Sequence, residues 1–265
     1  MRGIGFIGAG NMGGAIVSGI LGKGSIKASE VHVYDIHISG EIQALGVDIT
    51  DLAGVLAQSS LVILAVKPNV FGDILRQIQE AGFEKDTIFV SIAAGIPIGM
   101  IRDMLGADTK IVRVMPNLPL KVGEGMTVVS CCDAVTDQEL AKARGLFDCV
   151  GKTVVLPEAY IDKCLAINGS SPAYVCMFIE ALADGAVKNG VDRKSAYLLA
   201  EQSVLGTAKL LLETGMHPAV LKDMVCSPAG TTIDAVLALE QNGFRSAVLE
   251  AVEACTQKAM DMSGK

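Results

Sequence analysis

Basic residues are in deficit in this chain. Lys and Arg number 22 against 29 Asp and Glu, a formal charge of −7. No cationic excess is available to release counterions from phosphates, so a nucleic-acid partner is not expected. Long apolar runs are missing too: nothing approaches the roughly 18 uninterrupted residues of a spanning helix, and no membrane partner is expected. The first residues read as a strand, not as a charged-then-apolar leader. The 7 cysteines include no C-x-x-C pair and have no nearby histidines at ligand spacing, and Cys131 and Cys132 are adjacent. That pattern suits neither a routine disulfide nor a metal site, and it reads as reduced thiols in a cytoplasmic protein. Low-complexity segments are absent, as are repeats with the period of about 20–50 residues that marks solenoids.

What is present is apolar. Hydrophobic residues make up 51% of the chain and the mean hydropathy is +0.46. This is more apolar surface than one compact copy requires, and it points to helices packed between subunits. The run Ile4-Gly5-Phe6-Ile7 feeds into Gly8-Ala9-Gly10-Asn11-Met12-Gly13, and an amphipathic stretch from Ala15 to Leu21 follows. Strand, G-x-G-x-x-G turn and helix in that order are the context of a dinucleotide fingerprint. Gly8 permits the turn, Gly10 admits a pyrophosphate to the backbone, and Gly13 allows close helix–strand packing. The same six residues also suit a plain tight strand–helix turn.

Val31 to Asp35 reads as a second strand ending in an acid. Asp35 follows Gly13 by about 20 residues, the spacing at which a carboxylate meets the adenosine ribose hydroxyls, although an ordinary loop aspartate fits equally. Leu61–Val66, Ile88–Ile92 and Ile111–Met115 are apolar runs typical of parallel strands buried on both faces, the first closed by Lys67-Pro68. Alternation with helices implies a doubly wound α/β sheet, a Rossmann-like fold whose ligands sit outside the carboxyl ends of its strands. Gly8, Gly10, Asn11, Met12 and Gly13, Ala65-Val66-Lys67-Pro68, Ala94-Gly95 and Met115-Pro116-Asn117 would line that crevice. Met126–Ser130 and Thr153–Leu156 read as further strands around a helix near Asp137–Asp148.

Past Pro157 strands give way to helical periodicity. Val175, Phe178, Ile179, Leu182, Ala183 and Ala186 share one helix face, and Val248, Ala251, Val252, Cys255 and Ala259 another. Ser195–Leu212 is apolar almost all round, which requires burial on more than one side. The boundary falls near Pro157–Tyr160, dividing the chain into residues 1–158 and 159–265. Two stretches ask for more than helix geometry. In Asn168-Gly169-Ser170-Ser171-Pro172-Ala173-Tyr174 a helix start accounts for Ser171 and Pro172 but not for Gly169 and Ser170. Val225-Cys226-Ser227-Pro228-Ala229-Gly230-Thr231-Thr232 reads equally as a capped helix or as an anion site with free N–H groups from Gly230, Thr231 and Thr232.

Together these stretches resemble pyrroline-5-carboxylate reductase over essentially the whole chain. Gly5 to Met12, Ala65 to Pro68, Met115 to Asn117, Gly169 to Tyr174 and Lys222 to Thr232 carry the likeness, and the last is the specific one. Ala229 stands where the family usually has glycine, and Asn168 where it often has serine. The resemblance implies a Rossmann domain followed by an all-helical C-terminal dimerisation domain, a homodimer or an oligomer of dimers. It also implies hydride transfer from NADH or NADPH to the cyclic imine of 1-pyrroline-5-carboxylate, giving L-proline. Ser170, Val225, Cys226, Ser227, Gly230, Thr231 and Thr232 would then meet substrate, with the Thr232 hydroxyl on the ring nitrogen. His32, His37 and His217 occupy none of these motifs. A β-hydroxyacid dehydrogenase would need a lysine early in the helix after Gly169, and none occurs through Val187. A non-catalytic nucleotide sensor would not need Ser227 to Thr232. Because Ile36 to Gly46 holds no Arg or Lys to neutralise a 2′-phosphate, the residues favour NADH.

Overall fold

A computed structural model describes residues 2–24 and 26–262. Among them eight strands form one sheet in the order β3-β2-β1-β4-β5-β6-β7-β8. They are β1 (Gly3–Ile7), β2 (Val31–Tyr34), β3 (Asp48–Ile49), β4 (Ser59–Leu64), β5 (Ile88–Ser91), β6 (Lys110–Met115), β7 (Gly125–Cys131) and β8 (Gly151–Val155). Helices α1 (Asn11–Gly22), α2 (Gly40–Ala44), α3 (Leu52–Gln58), α4 (Pro68–Ala81), α5 (Ile98–Leu105) and α6 (Asp137–Asp148) alternate with them. After a turn at Glu158–Tyr160 come α7 (Ile161–Asn168), α8 (Ser171–Lys188), α9 (Arg193–Thr214), α10 (Pro218–Val225), α11 (Thr231–Gln241) and α12 (Phe244–Met262).

The apolar runs work as the two-faced reading requires. In β4, Leu61 and Ile63 join one core with Ile16, Val17 and Ile20 of α1 and Phe147 of α6. Their neighbours Val62 and Leu64 join another with Leu56 of α3, Phe71 and Leu75 of α4 and Ile101 of α5. Successive side chains of a strand point to opposite faces, so a strand covered on both sides must be apolar throughout. β3 escaped the sequence reading because two exposed residues, Asp48 and Ile49, carry no pattern. β7 departs from the doubly wound rule: it pairs antiparallel with β6, with Met115 opposite Val128.

The change of element type falls near Pro157–Tyr160, whereas the compact units divide elsewhere. One comprises residues 1–170 with 255–265, the other Ser171–Ala254. Helix α7 belongs to the sheet because Ile161 packs with Met115 and Val128 and Asp162 pairs with Arg113 at 2.6 Å. In the second unit α8 packs on α9 through small side chains, and Ala183, Ala196 and Ala200 are buried there. Phe178, Leu182, Leu198, Leu199, Leu205 and Leu212 stay exposed in the single chain. No helix among the described residues is long and apolar enough to cross a membrane.

Candidate active site

Strand β1 delivers Gly8 to the carboxyl edge of the sheet between β2 and β4, where the strand order reverses. Gly8 has φ +101, and its N–H donates to the Tyr34 carbonyl at 2.8 Å. A side chain there would be strained and would lie 2.7 Å from the Ala65 carbonyl. At Gly13 a Cβ would strike the Gly8 carbonyl oxygen and lie 3.0 Å from the Ala65 Cβ. Gly10 is different: it is the N-cap of α1 and no side chain caps it. A Cβ on Gly10 would meet nothing within 4 Å. Open space beside unbonded helix N–H groups fits a pyrophosphate.

Asp35 has both oxygens engaged. One accepts the Ala9 N–H at 2.6 Å and the other the His37 N–H at 3.0 Å, which pins the glycine turn to the exit of β2. Asp35 also lines a cavity of about 540 Å³ with Gly8, Gly10, Ile36, His37, Ala65, Val66, Lys67, Val70 and Ile74. The apolar walls from Ile36, Ala65, Val66, Val70 and Ile74 suit an adenosine, its ribose hydroxyls donating to the remaining lone pairs of Asp35, while Lys67 and Asp73 bring opposite charges to the same cavity. A second cavity of about 390 Å³ lies beside Gly10 and Asn11, lined also by Ser18, His37, Ser39, Glu41 and Lys121. Lys121 comes from the turn Leu118–Val122 and was not foreseen, because nothing in its local sequence marks it.

The other expected positions reach the same edge without lining either cavity. Met12 packs against the core, and Pro68 opens α4. Ala94 and Gly95 form the turn after β5, with Gly95 at φ +74. Pro116 and Asn117 are buried, and the Asn117 Oδ1 accepts the Met126 N–H at 2.8 Å. Asn168 is buried and donates from Nδ2 to the Met115 carbonyl at 2.6 Å, so it holds the end of β6. The Ser170 hydroxyl accepts from the Cys255 thiol at 3.2 Å.

Residues Val225 to Thr232 connect the end of α10 to the start of α11 in the second unit. Val225 ends α10, Gly230 is the N-cap of α11, and no side chain caps that helix. One expectation needs correction. The Gly230 N–H is not free but donates to the Ser227 carbonyl at 3.1 Å, because Ser227–Gly230 closes a tight turn. The N–H groups of Thr231 and Thr232, in the first turn of the helix, remain for an anion. Ala229 sits at φ +56, the one non-glycine residue with positive φ among those described. A left-handed conformation costs an L-residue on the order of 1–2 kcal/mol. Ala229→Gly relieves this while adding freedom to the unfolded chain, so a net stabilisation of about 0.5–1 kcal/mol is expected. A denaturant midpoint unchanged or lowered at constant slope would contradict it.

The histidines are accounted for without catalysis. His32 Nδ1 bonds Asp48 at 2.9 Å, His217 accepts the Ala219 N–H at the start of α10, and His37 lines the cavities. No cluster of metal-ligating side chains occurs among the described residues. All seven cysteines are unpaired, and burial pushes the Cys131, Cys149 and Cys164 thiols above their usual range.

Comparison with known proteins places these features in a family. The model of pyrroline-5-carboxylate reductase dimerisation matches residues 158–262. The model described as NADP oxidoreductase coenzyme F420-dependent matches residues 3–95. The pyrroline-5-carboxylate reductase of Escherichia coli (strain K12) is 44% identical over 265 residues, covering 98% of each chain. That of Methanosarcina acetivorans is 41% identical over 266 residues, covering 99% of this chain and 98% of the other. The crystal structure of Plasmodium falciparum pyrroline carboxylate reductase with NADP bound superimposes with a TM-score of 0.89. It is 31% identical and covers 99% of this chain and 98% of that one.

Proposed function

The chain belongs to the pyrroline-5-carboxylate reductase family, and from that premise we propose how its own residues carry the reaction. It is an NAD(P)H-dependent oxidoreductase acting on the C=N bond of 1-pyrroline-5-carboxylate, the last step of proline biosynthesis. The observation that carries the residue assignment is a pair of helix N-termini whose N-cap is a glycine, without a side chain to cap them. One opens α1 beneath the glycine turn, and the other opens α11 with two threonines.

The dinucleotide, when bound, supplies the hydride that adds to the imine carbon. Gly8, Gly10, Asn11 and Gly13 receive its pyrophosphate, and Asp35 with Ala65, Val66 and Lys67 receives its adenosine. Met12, Pro68, Ala94, Gly95, Pro116 and Asn117 support that edge. The N–H groups of Thr231 and Thr232 hold the substrate carboxylate at the positive end of α11. Val225, Cys226, Ser227 and Gly230 flank those N–H groups, and the family resemblance adds Ser170 to the substrate residues. The Thr232 hydroxyl orients the ring nitrogen, whose proton is already present or comes from water. As hydride reaches carbon, the C=N bond becomes a secondary amine and the cofactor is oxidised. Mixing protein, reduced cofactor and pyrroline-5-carboxylate should deplete absorbance at 340 nm, and no depletion with either nucleotide would overturn the reading.

Residues 1–158 serve the dinucleotide in this reading, and residues 159–265 serve dimerisation and substrate. The exposed apolar faces of α8 and α9 support a two-fold homodimer, alone or as the unit of an oligomer of dimers. Light scattering at low micromolar concentration should give twice the 27.6 kDa chain mass, and an active species at the single-chain mass would refute the dimer. Seven unpaired cysteines support a reducing compartment, the cytoplasm. Between the nicotinamide forms, the Asp35 carboxylate and the absence of Arg and Lys from Ile36–Gly46 favour NADH. Two features weigh against that preference. Both Asp35 oxygens already accept backbone N–H groups, and Lys121 brings a cation beside the loop.

A further inference from the structure

We propose that Lys121 is a specificity-determining residue that receives the 2′-phosphate of NADPH in the cavity beside Gly10. The proposal rests on the dinucleotide reading above and goes beyond it. Gly10 and His37 line both cavities at this edge, so a ribose held by Asp35 in the larger one abuts the smaller one. A group on its 2′ carbon passes His37 into a space walled by Ser39 and Lys121. Asp35 does not line that space, and the repulsion expected of its carboxylate is softened by the two N–H groups it accepts.

The lysine is held for this role. Its neighbour Leu120 is fully buried, and the turn closes through Gly123, whose N–H donates to the Leu120 carbonyl at 3.0 Å. The backbone of Lys121 is thereby anchored while its side chain is exposed. Its ammonium makes no hydrogen bond or ion pair among the described residues, although Glu41 lines the same cavity. An exposed ammonium, an imidazole and a serine hydroxyl that accepts the Ile42 N–H at 3.3 Å and keeps its own proton to donate line this one cavity, a set of donors for a doubly charged phosphate. Glu41 opposes them, which sets a moderate discrimination.

Calorimetry with adenosine 2′,5′-bisphosphate and with 5′-AMP tests the assignment without turnover. The parent should bind the bisphosphate about tenfold more tightly than the monophosphate, the scale of one charge-assisted bond partly screened by solvent. Lys121→Met should erase that difference and Lys121→Arg should keep it. In turnover the ratio of kcat/KM for NADPH to that for NADH should fall about tenfold in Lys121→Met, by the same reasoning. A parent without the preference, or a Met variant that retains it, would overturn the assignment. Equal weakening of both ligands would also overturn it, because Lys121 would then contact the phosphate they share. A parent that binds both nucleotides yet reduces no imine would instead overturn the functional reading, leaving the calorimetric result standing.

Discussion

Thr232→Ala should lower kcat by roughly 10²–10³-fold, the scale for removing one donor that acts in the transition state. The structure separates this from a stability effect. Gly230, not threonine, is the N-cap of α11, and no side chain caps the helix. Thr232 is half-buried, and its hydroxyl has no hydrogen-bond partner among the described residues. Losing a true N-cap would cost about 1 kcal/mol. Here there is no cap to lose, and alanine has the higher helix propensity, so the melting temperature should hold or rise slightly. The affinity for the dinucleotide should stay near that of the parent, because its expected site at Gly8–Gly13 lies elsewhere. Thr232→Ser, which keeps the hydroxyl, should retain much more activity than Thr232→Ala. If both variants turn over like the parent, the helix N-terminus alone positions the substrate and the assignment to Thr232 is wrong.

Asp162→Ala should be the most destabilising single change in the sheet unit. Arg113 lies in β6 with its side chain 1% exposed, paired to Asp162 at 2.6 Å and to Glu158 at 3.3 Å. Its Nε is buried without a partner. Glu158 also accepts the Ile98 N–H at 2.7 Å, so one cluster joins β6, the turn at Glu158–Tyr160, α7 and the start of α5. Removing one partner of a buried pair leaves a desolvated charge, a loss of about 3–5 kcal/mol. For a chain of this size that corresponds to a fall in melting temperature on the order of 10 °C. Replacing both partners, Arg113→Met with Asp162→Leu, should recover most of the loss, since an apolar pair needs no compensation. Turnover of the folded fraction at low temperature should survive in the single variant, because neither side chain is assigned to substrate or cofactor. A melting temperature within about 2 °C of the parent would mean that water or Glu158 already neutralises Arg113.

Local chemistry accounts for what could be read along the chain. The glycine turn is legible because strand, Gly8, Gly10, Gly13 and helix are contiguous; Gly8 and Gly13 answer constraints of the backbone, and Gly10 leaves open space beside it. The parallel strands are legible because burial on both faces leaves no room for polar residues in Leu61–Leu64 or Ile88–Val90. A helix start near Thr231 follows from Pro228, Gly230 and two threonines in sequence, whereas the absence of a side-chain cap there shows only in the fold. These features determined the α/β class, the dinucleotide edge and the helical second half.

Tertiary structure decided the rest, because it depends on groups that meet only after folding. That β7 runs antiparallel to β6 is a matter of pairing between strands, and no pattern within Gly125–Cys131 encodes it. Arg113 could be seen as a charge inside an apolar run, but its partners Glu158 and Asp162 lie in a segment that periodicity assigns to helices. The engagement of both Asp35 oxygens depends on where the backbone of Ala9 arrives, so no spacing rule would reveal it. Lys121 lines the cavity of His37 and Ser39 from a turn that packs on α1. A search limited to Ile36–Gly46 could not find a cation that comes from a different turn. Electrostatic specificity is set by distance in space, and in this molecule that distance is fixed by packing of Leu120 against α1 rather than by order along the chain.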